Sequence, residues 1–253
     1  MYYFLFHLLT ARNTGGFGIH SPYLFDFVRY VINEKNVYYV YADIENKRTK
    51  LLNNNALIHK TDFGTGESKT IKISEIAATS LCSSRKGRLL CQTVNYLKLN
   101  NILELGTSLG ISTAYIAALS KSRKCITLEG CENTAHIARE VFSELKLTNI
   151  ELITGDIDQT LNEALTKLSN VDFVYMDANH TFEATMRYFN LIVPYLSKNA
   201  VVILDDIYWS KEMKQAWEQI KIHPGVRSSF DLYQLGIAFF NPDLHKKNYK
   251  LRY

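Results

Sequence analysis

Five acidic residues, Glu104, Glu129, Asp156, Asp177 and Asp205, each fall at or just past the end of a short apolar run in this 253-residue chain. Carboxylates so placed can accept hydrogen bonds from a polar ligand, bind a cation, or cap the helix that follows. The runs are Asn101 to Leu105, Cys125 to Glu129, Ile150 to Thr154, Phe173 to Met176 and Val201 to Leu204, and stretches of helical periodicity separate them. That alternation is the pattern of a parallel sheet with crossover helices, in which a ligand sits outside the carboxyl ends of the strands. The five side chains are therefore expected to line one sheet edge and face one bound molecule; helix capping is the competing account of each.

The turn after the first run narrows the ligand. Glu104-Leu-Gly106-Thr107-Ser108-Leu-Gly110 follows a strand and opens a helix, where backbone amides meet a cofactor and glycine permits close approach. A dinucleotide fingerprint counted from Gly106 would need glycine at Ser108 and Ile111, so no pyrophosphate cradle is expected. The chain also lacks the phosphate-binding loop with its lysine and the HExxH zinc motif. A nucleoside ligand without a pyrophosphate remains.

The segment Glu104 to Gly110 resembles the glycine-rich first loop, E-x-G-x-x-x-G, of the class I S-adenosylmethionine-dependent methyltransferases. The resemblance covers residues 100 to 240 and implies S-adenosyl-L-methionine as cofactor. It assigns Gly106 and Gly110, with Thr107 and Ser108 between them, to the passage of the methionine and ribose portions. Glu129 resembles the acid that accepts both ribose hydroxyls, because a carboxylate has the paired acceptors a cis-diol needs. Asp156 and Ile157 resemble the segment that meets the adenine, and Asp177 sits where the family places a residue near the reacting methyl.

Within that superfamily, Tyr175-Met-Asp-Ala-Asn-His180 and Leu204-Asp-Asp206 resemble the small-molecule O-methyltransferases related to catechol O-methyltransferase. Those enzymes hold a divalent cation such as Mg2+, and the resemblance implies Asp177, Asp205 and Asp206 as its ligands, with Asp177 and Asp205 also at the catalytic centre. A cation there would lower the pKa of a substrate hydroxyl and fix it in line with the methyl. The chain departs from the pattern: Asp205-Asp206 stands for Asp-Asn, and Asp-Ala-Asn-His for Asp-Ala-Asp-Lys. The metal-free alternative makes His180 the general base, since an imidazole ordinarily changes charge near neutral pH; His180 could equally decorate the following helix. Tyr208 and Trp209 are candidates for pocket walls or core.

The elements that must position these residues form an α/β unit, a Rossmann-like doubly wound sheet with a C-terminal antiparallel hairpin from Ser228 to Leu232 and Gly236 to Phe240. Residues 100–253 are expected to be the methyltransferase domain and residues 1–99 an N-terminal helical cap. The cap shows only helix signals: Ser21-Pro22 before Tyr23 to Ile32, Ser74 before a stretch to Leu81, and Lys86 to Leu97. Between them, Asn53 to Thr70 is expected to be an exposed loop or cover. Gly16 to Pro22 with His20, together with Asp62 to Gly66, resembles the leader of a group of uncharacterised bacterial methyltransferases of similar length.

A net charge of +4 and cationic clusters without interleaved aromatics argue against nucleic acid and favour a small-molecule acceptor. The cluster Lys246 to Arg252 reads as a solvated face or tail. Four cysteines without a CxxC pair point to a reducing, cytoplasmic compartment. Met1 to Ala11 is apolar, with no basic n-region and fewer than the roughly 20 residues that span a bilayer. It is expected to pack on its own protein or on a partner in a homodimer, with loose membrane contact the lesser alternative. The leading function is O-methylation of a small molecule; an RNA or protein methyltransferase and a non-catalytic S-adenosylmethionine-binding protein are the alternatives.

Overall fold

The computed structural model describes residues 2–61, 66 and 68–253. Asp62, Phe63, Gly64 and Thr65 of the leader-like segment lie outside the described residues. The chain divides into two compact units, residues 35–168 and residues 1–34 with 169–253. This division follows packing density; the partition at residue 99 is one of function and stays a proposal.

The second unit begins with α1 (Tyr2–Thr10) and α2 (Pro22–Phe27), which runs into one π-helical turn at Val28–Ile32. Ser21 caps α2 by accepting from the Leu24 N–H, with Pro22 in the first helical position, as the sequence indicates.

The unit of residues 35–168 contains α3 (Val40–Leu52), β1 (Leu57–Thr61), β2 (Ser68–Lys72), α4 (Ile73–Ser80), α5 (Ser84–Tyr96), β3 (Asn101–Leu105), α6 (Ile111–Ala117), β4 (Lys124–Glu129), α7 (Glu132–Glu144), β5 (Ile150–Thr154) and α8 (Ile157–Leu168). Strand β4 lies between β3 and β5, and all three run parallel. The segment expected to be a loop is instead an antiparallel pair, β1 with β2, in register Leu57 with Lys72 and Thr61 with Ser68. No strand alternation stands out there because β2 is mostly exposed and neither strand has a fully buried residue; the cross-strand pair Ile58 and Ile71 supplies their packing against the core. Strand β1 rests on α7: the His59 carbonyl accepts from the Asn133 side chain at 2.7 Å.

The other unit resumes with β6 (Val171–Met176), α9 (Phe182–Ile192), β7 (Leu196–Asp205), α10 (Lys211–Ile222), β8 (Ser228–Asp231), β9 (Leu235–Phe239) and β10 (Lys247–Lys250). Strands β6 and β7 are parallel, β9 is antiparallel to both β7 and β8, and β10 adds to β8 in parallel. The expected terminal hairpin is thus present, whereas the expected cationic tail is an edge strand. Its core includes Trp217 and the ring set of Phe27, Phe230 and Phe239, with Phe27 edge-on to Phe239 at 5.1 Å.

One packing contact makes a clean test. Gly87 on α5 lies against the Tyr115 ring of α6 with no room for a methyl group. Alanine at an ordinary helix position gains propensity, but Gly87→Ala is expected to lower stability by about 2 kcal/mol through overlap, read as a lower denaturant midpoint.

Candidate active site

In the unit of residues 35–168, the strand-end acids are fastened by different partners. Glu104 on β3 is fully buried, and its Oε2 accepts from the hydroxyls of Thr127 on β4, at 2.6 Å, and Thr113 on α6. Its Oε1 is buried with no hydrogen-bond partner. Burial pushes the Glu104 carboxyl up to about 7 against the pull of the Thr113, Thr127 and Ser112 hydroxyls, and the Glu129 charge adds to the rise. The neighbouring Thr107 and Thr127 hydroxyls are 2.6 Å apart, and the N–H groups of Gly106 and Thr107 both donate to the Leu128 carbonyl at 3.0 Å. The loop between β3 and α6 is therefore stitched to β4 along its length.

The glycines of that loop have a backbone reason. Gly106 and Gly110 have φ of 95° and 84°, and a Cβ on Gly110 would meet the Phe142 ring at 2.7 Å. Ser108 takes a φ of 48°, which aims its N–H at Glu129 Oε2, 2.8 Å away. Glu129 Oε1 accepts the Cys131 N–H at 3.0 Å. Asp156 is half-buried, and its Oδ1 accepts the Asp158 N–H at 3.0 Å, so it caps the start of α8 at Ile157.

In the other unit, Asp177 follows β6 and Asp205 ends β7. The Tyr175 hydroxyl stands 2.5 Å from Asp205 Oδ2 and 3.2 Å from Asp177 Oδ2. Asp205 is buried, and its Oδ1 accepts the Asp206 N–H at 2.7 Å, with Asp206 at φ 52°. His180 Nε2 lies 3.6 Å from Asp177 Oδ1, and its Nδ1 is buried without a hydrogen-bond partner. Thr181 caps α9 just beyond, accepting from the Ala184 N–H, which fixes where the His180 loop ends.

The expected cation does not fit these residues. Asp205 is held by the Tyr175 hydroxyl on one oxygen and the Asp206 N–H on the other. Among the described residues no three of His, Cys, Asp and Glu are grouped to hold a metal ion. Of the two pocket-wall candidates, Tyr208 donates to Asp231 Oδ2 at 2.7 Å and stacks on Tyr233, while Trp209 is exposed. His20 is exposed as well.

Sequence reasoning missed Tyr175, Thr113 and Thr127. A signal existed: Thr127 interrupts an apolar strand, and a buried threonine at such a position needs an acceptor.

Residues 103–207 match the family model described as a methyltransferase domain. No curated protein matches the chain. Among solved structures, the chain is similar to an O-methyltransferase from Bacillus cereus in complex with SAH (20% identity, TM-score 0.57, covering 85% of this chain and 96% of that one). It is similar to a Podospora anserina methyltransferase, PaMTH1, bound to SAH (14%, 0.60, 88% and 97%). It is also similar to the O-methyltransferase TomG from Streptomyces achromogenes, involved in tomaymycin synthesis, in complex with SAM (20%, 0.54, 63% and 81%). The fold is the class I methyltransferase fold expected from the sequence.

The buried Glu104 carboxyl has a consequence for stability. A folded pKa raised from the ordinary 4.5 to about 7 means that the folded chain keeps a proton the unfolded chain has lost. Stability from this group is fullest below 4.5 and falls as pH rises through 7, by about 3 kcal/mol in all. Urea denaturation across that range should show the fall, and Glu104→Gln should flatten it; an unchanged slope would place the titrating group elsewhere.

Proposed function

We propose that the chain, with a methyltransferase domain at residues 103–207, is an S-adenosylmethionine-dependent O-methyltransferase acting on a small molecule. The observation that carries this reading is Glu129, whose two oxygens are held by the N–H groups of Ser108 and Cys131 at the end of β4, beside a glycine loop with left-handed backbone. S-adenosylmethionine, when bound, would supply a sulfonium methyl that passes to an acceptor oxygen, the carbon–sulfur bond breaking and S-adenosylhomocysteine leaving.

The chain's own residues would act as follows. Glu129 accepts the two ribose hydroxyls, since a carboxylate has the paired acceptor oxygens a cis-diol needs. Gly106 and Gly110 let the loop backbone approach the cofactor, and the bonds from Gly106 and Thr107 to Leu128 keep it rigid, so little order is lost on binding. Glu104, with one buried oxygen unpartnered, offers a negative charge to the cofactor's ammonium group. Asp156 and Ile157 bound the adenine. His180, oriented by the Asp177 carboxylate, takes the proton of the acceptor hydroxyl, and Asp177 stabilises the imidazolium that results. Tyr175 keeps Asp177 and Asp205 in place by standing between them.

No step is routed through a cation, because the acids do not form a site for one. The compartment we propose is the cytoplasm, supported by four cysteines that are all free thiols and buried.

The test is methyl transfer from labelled S-adenosylmethionine to a panel of phenolic and other hydroxyl acceptors, with and without EDTA. Turnover is expected to persist in EDTA, and a loss restored by Mg2+ would reinstate the metal mechanism. His180→Ala should lower kcat about a hundredfold while S-adenosylhomocysteine binds as before. An unchanged kcat would leave placement of the two reactants as the whole of the catalysis.

A further inference from the structure

Helix α1, YYFLFHLLT, is apolar on every side, and such a helix needs cover on every side. Its own unit covers one face. His7 is buried there, with Nδ1 3.2 Å from Asp231 Oδ1 and Nε2 3.0 Å from the Leu251 carbonyl. The stacked Tyr208 and Tyr233 rings pack beside it, and the Arg252 guanidinium donates to the Leu8 carbonyl at 2.9 Å. On the opposite face Leu5, Phe6 and Leu9 are exposed, Leu9 by 81%. Two more exposed aromatics lie in the same unit. Trp209, 74% exposed, follows the Tyr208 that packs on Tyr3, and Phe17, 78% exposed, sits on the loop that Asn13 pairs to Lys250.

Charge identifies what fits this face. The Lys250 ammonium lies 5.3 Å over the Phe6 ring and the Lys214 ammonium 4.8 Å over Tyr3. The chain has no acidic residue before Asp26, and the segment from Leu244 to Tyr253 carries Lys246, Lys247, Lys250 and Arg252 with no acid. These two acid-free segments are the ones that pack together, through His7 and Leu251, Leu8 and Arg252, and Thr14 with the Arg252 N–H. Bare leucine and aromatic side chains bordered by lysine and arginine are the composition of a helix lying in a membrane interface.

We propose that α1 and the C-terminal strand β10 dock on the surface of an anionic phospholipid bilayer. The leucines and aromatics enter the boundary between headgroups and acyl chains, and the lysines and Arg252 meet lipid phosphates. A second copy of the chain fits less well. A two-fold contact sets the same patch against itself, which would bring Lys214, Lys250 and Arg252 of both copies together; an anionic surface neutralises them instead. With nine residues, α1 lies in the plane of the interface and does not cross it.

The experiment is vesicle binding by the full chain, comparing phosphatidylcholine alone with phosphatidylcholine containing phosphatidylglycerol. Trp217 is fully buried, so a blue shift of tryptophan emission on binding reports Trp209. Co-sedimentation and a blue shift are expected with the anionic vesicles only, both weakened by salt. Lys250→Gln should lower the partition coefficient about fivefold. Leu9→Glu, at an exposed position that leaves the fold intact, should lower it about tenfold or more. Equal binding to both vesicle types, or binding to neither, overturns the proposal. So does a dimer in sedimentation that Leu9→Glu dissolves without any vesicle binding, which would give the face to a second copy.

Discussion

The Glu104 carboxylate, fully buried and bonded to Thr127 and Thr113, is the constraint on which the unit of residues 35–168 depends. It ties two parallel strands and the following helix to one point, immediately beside the loop that must approach a ligand. A buried carboxylate costs free energy even when hydrogen-bonded, and burial accordingly pushes this one toward neutral pH. The Thr107 hydroxyl and the Ser108 N–H extend the same fastening to β4 and Glu129, so the loop is fixed before any ligand arrives.

Strand-end acids of similar appearance thus do different work. Glu104 braces strands, Glu129 is held between two N–H groups, Asp156 caps a helix, and Asp205 is held by a tyrosine and a backbone amide. Among the described residues the acids of the second unit are not grouped to hold a metal ion, although their sequence resembles a pattern that does. His180 emerges as the more versatile group there, paired with Asp177 at one nitrogen and unpartnered at the other.

The parallel strands were legible because they read as apolar runs, most of them buried and β5 half-buried along its length; β3 and β5 occupy the expected Asn101–Leu105 and Ile150–Thr154. The acids at their ends followed from that register. Elements held by backbone pairing were not legible. Strands β1 and β2 bury little, and β10 buries only Tyr249 among lysines, as an edge strand can. Helix α3 shows only Tyr41, Ile44 and Leu51 on its buried face and has no capping side chain, so its periodicity is lost among polar residues. The site's braces, Tyr175, Thr113 and Thr127, were hidden because each bonds to a carboxylate that only the fold brings near, 30 residues away for Tyr175 and Asp205.

The central claim is that the glycine loop and Glu129 hold the nucleoside of S-adenosylmethionine. Titration calorimetry of S-adenosylhomocysteine against the full chain and against Glu129→Ala tests it most directly. The account predicts binding near −8 kcal/mol, which is a Kd of about 1 μM, and a loss of tenfold or more in the variant. Absence of binding to the wild-type chain, or equal affinity in Glu129→Ala, would contradict it.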